Sequence, residues 1–162
     1  MDVTLSAVPM EMPEGVNVIV GQSHFVKTVE DLHEAMASAS PHLRFGIAFL
    51  EASGPCLIRR SGNDDELVEL ATRNAEAIGA GHSFVVYLRD GFPIHVLPAI
   101  KHLAEVCTVF CATANPLEIV VAQTDLGRAV LGAVDGMPPA GIETDEDVAD
   151  RSRLLRELGL KL

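Results

Sequence analysis

The stretch F-G-I-A-F-L-E-A-S-G-P-C-L-I-R-R-S-G-N-D-D-E-L, Phe45 to Leu67, decides the fold. Its apolar run Phe45 to Leu50 ends at the acid Glu51, and Ala52-Ser53-Gly54-Pro55 turns the chain. A second apolar run, Cys56 to Ile58, leads into Arg59 and Arg60. Two short β-compatible runs around a Ser-Gly-Pro cluster predict a hairpin. The polar turn Ser61 to Asp64 then opens a helix, with Asn63 as cap and Glu66 in the capping-box position. Leu67, Leu70, Ala71, Ala75 and Ile78 share one face of that helix, and Gly79 stands at its C-terminal cap. Polar groups thus gather at turns beside an apolar scaffold, the pattern of a binding site.

Working outward, Val3 to Pro9 alternates weakly as an edge strand, and Asn17 to Val20 is a short strand ending at Gly21. Gly21 to Thr28 reads as a polar turn, with Thr28 capping a helix that buries Leu32, Ala35, Met36 and Ala39 and stops at Pro41. Ser83 to Leu88 is a strand, a short helix starts at Pro98, and Val106 to Ala112, Leu117 to Gln123 and Ala129 to Val134 are strands. The order ββ-α-ββ-α-β-α-βββ predicts an α/β protein: a single compact domain with a mixed β-sheet and helices packed on it. Residues 1–136 form the main domain in this reading. Residues 137–162 are a linker and a short C-terminal helical tail, about Asp145 to Leu158, with Asp147–Arg151 and Arg153–Glu157 as helical ion pairs.

A chain of 162 residues can bury a full core without disulfides or structural metal. The net charge of −11 argues against nucleic acid as a partner and against anionic membranes. A small phosphorylated ligand stays compatible, because charges beyond about 8–10 Å are screened at physiological salt. No secretory signal or membrane span is visible, and a cytoplasmic location is expected. The three cysteines read as buried small hydrophobes; Cys107 and Cys111 on one strand lie too far apart for a disulfide.

No P-loop is present, and Gly79-Ala80-Gly81-His82 follows a helix instead of opening one, the reverse of a Rossmann turn. No histidine pair has helical zinc spacing, so no protein metal site is expected. The segment before the first helix is more telling: His24 and Lys27, with the hydroxyls of Ser23 and Thr28, precede a helix N-terminus that could hold an anion. An ordinary capped helix with a surface histidine is the other reading. Asn63-Asp64 repeats that geometry. Glu51, ending an apolar strand, must be solvated, paired, or bound to a ribose or metal. His82 is either a site residue or a hydrogen-bonded core histidine, and the Asn115 amide either caps a turn or reads a base edge.

Taken together, G-Q-S-H-F-V-K-T-V-E-D-L, F-G-I-A-F-L-E-A-S-G-P-C-L-I-R, G-N-D-D-E-L, I-G-A-G-H-S-F, C-A-T-A-N-P and the G-R-x-x-L-G-x-V-D-G ending at Gly136 resemble the adenosine-specific kinase family. The resemblance runs from about Val16 to Gly136, leaving the tail outside it. It implies binding of AMP and related adenosine nucleotides, phosphoryl transfer to adenosine from a Mg²⁺-nucleotide such as ATP, a phosphorylated histidine, and a homotrimer. The chain reads P-I-H-V-L-P where the family pattern has asparagines, with His95 and Pro98 in their place.

The expected site is therefore His24 and Lys27 for catalysis. Gln22, Ser23, Thr28, Glu51, Ser53, Arg59, Asn63, Asp64, His82 and Asn115 are expected to bind nucleotide. His24 is favoured over His82 as phosphoryl acceptor, because it precedes a helix N-terminus with Lys27 nearby. A non-catalytic AMP-binding module is the alternative.

Overall fold

The computed structural model describes residues 2–162. In chain order the elements are β1 (Thr4–Pro9), β2 (Asn17–Ser23), α1 (Thr28–Ala39), β3 (Arg44–Leu50), β4 (Ile58–Gly62), α2 (Asp65–Ile78), β5 (Ser83–Arg89), α3 (Pro93–His102), β6 (Val106–Thr113), β7 (Leu117–Gln123), β8 (Arg128–Asp135) and α4 (Asp145–Glu157). This reproduces the element order read from the sequence. The strands form a five-stranded sheet, β4-β3-β5-β2-β6, and a three-stranded sheet, β1-β7-β8. Their ladders are antiparallel, and Ala80 and Arg128 form an isolated parallel bridge.

Strand alternation sorts the core into two layers. Phe45, Ile47 and Phe49 of β3 with Phe84, Val86 and Leu88 of β5 meet Leu32 and Met36 of α1 and Val96 and Ile100 of α3. The intervening Ala48, Leu50, Val85 and Tyr87 face Leu67, Leu70, Ala71 and Ile78 of α2, and this layer continues to Ile119 and Val121 of β7. The large sheet is thus buried on both faces, which is why β3 and β5 read as unbroken apolar runs. The approach of α2 is very close: a Cβ on Gly46 would stand 2.1 Å from the Leu67 carbonyl carbon.

Several boundaries differ from the sequence reading. β2 continues through Ser23, because Gly21 and Gln22 find ladder partners in both β5 and β6. β4 starts at Ile58 and absorbs Ser61 and Gly62, as the hairpin register is set by β3. Helix α2 is capped by Asp64, whose side chain accepts from the Leu67 amide, while Gly79 ends it in the left-handed conformation. Asn63 instead stitches two strands, accepting from the Phe45 amide (2.9 Å) and donating to the Leu43 carbonyl (2.8 Å). Helix α3 begins at Pro93, not Pro98, since a proline in the first helical turn loses no bond and presets φ. His95 takes the Phe92 amide at 3.4 Å, so the histidine at this departure from the family pattern serves as a cap.

Cys56 and Cys107 are exposed and Cys111 is half-buried, contrary to the buried trio expected. Cys56 lies in the β3–β4 turn, and β6 is an edge strand, so apolar sequence context did not ensure cover. In the tail, Asp147 joins Thr144 in a capping box and Arg151 pairs with Glu143, in place of the expected Asp147–Arg151 pair. Arg153 and Glu157 do approach, to 3.9 Å. Helix α4 buries no residue; Leu158 and Leu160 beyond it reach the start of α3.

Candidate functional site at one end of the large sheet

Antiparallel register decides which turns meet. Leu50 pairs with Ile58, Gln22 with Ser83, and Ser23 with Val106. The ends of β2 and β3 therefore lie beside the starts of β4, β5 and β6. Gln22, Ser23, His24, Lys27, Thr28, Glu51, Ser53, Arg59 and His82 come together at this end. Asn63, Asp64 and Asn115 follow β4 and β6 at the other end, a strand of 7 residues away, or about 20 Å. Asn63 and Asp64 are occupied as described, and the Asn115 amide donates to Asp135 at 3.0 Å.

Within the cluster, Glu51 is a paired carboxylate. Its Oε2 accepts from the Leu57 amide at 2.9 Å and its Oε1 meets Arg59 Nη2 at 2.8 Å. These contacts, the Leu57 amide first and Arg59 second, hold its carboxyl below the ordinary carboxylate range. Glu51 thus fixes the 51–57 turn and aims Arg59, whose buried Nε has no partner among the described residues. Beside it, His82 takes a left-handed backbone (φ 63°) and ties three strands: its amide donates to Leu50 and its carbonyl accepts from Ser23. Its ring stacks on Phe49 with centroids 5.8 Å apart. A Cβ on Gly81 would press within 2.8 Å of the Ala52 Cβ, so these two turns nest closely.

The start of α1 differs from expectation. The Thr28, Val29 and Glu30 amides donate to the Phe25, Val26 and Lys27 carbonyls, because a tight turn precedes the helix. No side chain caps it; Thr28 is buried and its hydroxyl bonds the Ser23 hydroxyl at 2.7 Å. Ser23 and Thr28 therefore build the turn. Lys27 forms an ion pair with Asp31 and lies 3.4 Å from Glu105 Oε2. The amides that would make this helix end an anion seat are already engaged, and Lys27 is shared between two carboxylates.

Two residues here escaped the sequence reading. Glu105 is only 4 % exposed, and its Oε1 has no hydrogen-bond partner among the described residues. Burying such an oxygen unpaired costs about 1–3 kcal/mol. The signal was available: Glu105 abuts an apolar strand as Glu51 does. Arg128 donates to the Ala77 and Ile78 carbonyls at the end of α2 and to Gln123. It also lines two adjoining recesses: one of about 100 Å³ with Gln22 and Gly81, the other of about 500 Å³ with Ala52, Cys56 and Leu126. The larger recess falls in the size range of small-ligand sites.

A larger open cavity, about 1120 Å³, lies at the opposite end among Asn17, Leu43, Asp90, Phe92 and His95. Its polar lining includes the acids Glu14 and Asp90 and no lysine or arginine. Volume alone favours it; charge does not, since a phosphate would meet two carboxylates there. The cationic end is the better seat for an anionic ligand.

The family model described as adenosine specific kinase matches residues 8–161. The chain belongs to the adenosine-specific kinase family. That match extends through α4, so the tail lies within the family's extent, beyond the end at Gly136 that the motifs marked. Among solved structures, the chain is similar to the PH1918 protein from Pyrococcus horikoshii OT3, with 45 % identity, 99 % of each chain covered and a TM-score of 0.95. A search of the curated proteins finds no match. Among the described residues no helix is long and apolar enough to cross a membrane.

Proposed function

We propose that this adenosine-specific kinase family member binds AMP and ATP at the His24–Arg59–His82 end of the large sheet and transfers a phosphoryl group to adenosine through phosphorylated His24. One observation carries the reading: Lys27, Arg59 and two histidines gather at one end of the large sheet in an otherwise acidic chain, and Arg128 lines a recess of small-ligand size at the same end. Arg59, aimed by Glu51 and with its Nε unpartnered, is the candidate phosphate anchor. Gln22, exposed at the small recess, is placed to meet a base edge.

In the first step an imidazole nitrogen attacks the γ-phosphorus of the triphosphate. An N–P bond forms, the β–γ bridging P–O bond breaks, and the diphosphate leaves. In the second, the adenosine hydroxyl oxygen attacks that phosphorus, the N–P bond breaks, and the hydroxyl proton passes to water. Positioning and charge stabilisation carry such transfers. Among the described residues no group of three or more His, Cys, Asp or Glu side chains could hold a metal. Mg²⁺ enters as part of the substrate, on the nucleotide phosphates, its common mode.

His24 is the acceptor because its side chain is exposed, whereas the His82 ring is stacked on Phe49 and its backbone locks the strand ends. Intact-mass spectra after incubation with ATP and Mg²⁺ test this: wild type and His82→Ala should carry a phosphate adduct and His24→Ala should lack it. The reverse pattern would reassign the acceptor. One observation favours the non-catalytic alternative, an AMP-binding regulatory module: Lys27 is already held by two carboxylates. Tight AMP binding with no AMP production from adenosine and ATP would establish that alternative. We also propose a cytoplasmic homotrimer, as the family resemblance implies, with exposed Leu131, Val134 and Met137 along and beyond edge strand β8 as a surface for self-association; a monomer by light scattering would refute it.

A further inference from the structure

We propose that Glu105 is a positioning residue for His24: its free carboxylate oxygen accepts the imidazole N–H and so presents the other ring nitrogen to the phosphoryl donor. The inference rests on His24 being the phosphoryl acceptor. It begins from the ladder. Ser23 and Val106 are the outermost register partners of β2 and β6, and His24 and Glu105 follow just beyond the two strand ends. The His24 amide donates to the Glu105 carbonyl at 2.7 Å, which holds the two backbones side by side. Lys27, three residues after His24, reaches the Glu105 carboxylate at 3.4 Å, so that carboxylate lies against the 24–27 turn. The exposed His24 ring has room to turn toward it.

The second observation is the carboxylate itself. Glu105 is nine-tenths buried and more, Lys27 meets only its Oε2, and its Oε1 is unpartnered among the described residues. Buried acceptors are normally satisfied, so an open one beside a histidine marks where an N–H belongs. A neutral imidazole has one N–H and one lone pair, and the group that takes the N–H decides which nitrogen is nucleophilic. As the N–P bond forms, the ring gains positive charge and its remaining N–H bond to the carboxylate becomes charge-assisted and stronger. Lys27, held against the same carboxylate, keeps the acid from facing the incoming phosphate alone.

The test uses the full chain. In wild-type protein, nitrogen NMR of the imidazoles should show His24 in one dominant tautomer, and Glu105→Gln should return it to a mixture. Glu105→Gln should slow appearance of the phosphate adduct by about 10- to 100-fold, the range that the hydrogen-bonding partners of metal-bound histidines carry. Glu105→Asp should recover part of the rate. Glu105→Gln nearly preserves shape, and the wild-type spectrum needs no variant, so misfolding cannot mask the answer. An adduct on His24 that forms at the wild-type rate in Glu105→Gln, or a mixed tautomer in wild type, would overturn the role of Glu105. An adduct that survives His24→Ala, or none in wild type, would overturn the assignment of His24 itself.

Discussion

Replacing Gly46 by alanine tests whether the contact between β3 and α2 sets the site. The added Cβ would stand 2.1 Å from the Leu67 carbonyl carbon, 2.2 Å from the Val68 nitrogen and 2.3 Å from the Leu67 oxygen. All three obstacles are helix backbone, so no side-chain rotation relieves them; α2 would have to retreat by roughly 1 Å along its length. Overpacking a core costs typically 1–3 kcal/mol, and an immovable backbone places this change at about 3 kcal/mol or more. For a domain of this size that is a loss of about 6–12 °C in Tm. Because Glu51 follows directly on β3, the shift should also weaken AMP binding. Gly132→Ala, whose Cβ would meet nothing within 4 Å, is the control and should melt near wild type. Calorimetric melts and AMP titrations of both variants are the assay. A Gly46→Ala loss below about 1 kcal/mol would show that α2 yields freely and that the close approach is not what fixes the sheet end.

Calorimetry should show AMP binding at least about tenfold more tightly than GMP, since polar groups left unpaired on the wrong base cost about 1–3 kcal/mol each; equal affinities would refute adenine selectivity. Burial pushes the Cys111 thiol up to about 11, with the charge of Asp135 adding to it. At pH 8 only about one molecule in a thousand then carries the thiolate, so iodoacetamide should label exposed Cys56 first and Cys111 last, as read by peptide mass. Arg73 holds the Glu11 carboxyl below its ordinary range. That pair contributes stability above the unfolded carboxyl's pKa and loses it as pH falls through the folded one. Both side chains are exposed, so Arg73→Gln should lower stability only slightly at pH 7, and not at all once acid has protonated Glu11; a cost that persists in acid would refute the pairing.

Local chemistry made much of this fold legible in the sequence. The apolar face of α2 and Gly79 at its end follow from helical periodicity and the left-handed cap, and β3 and β7 from short apolar runs between turns. Those are interactions between neighbours in the chain. Cap choice was already harder: Asn63 and Asp64 are both good caps, and a strand-to-strand bond claimed Asn63. Strand order and register were beyond the sequence, because they are set by which apolar faces pack together across many residues. Only that register decided that Arg59 and His82 share an end with His24, while Asn63 and Asn115 stand at the other. It also brought Glu105, 81 residues further along the chain, beside His24. The sequence alone determined which side chains could do chemistry; tertiary pairing decided which of them meet, because an antiparallel ladder joins residues by opposition and not by nearness along the chain.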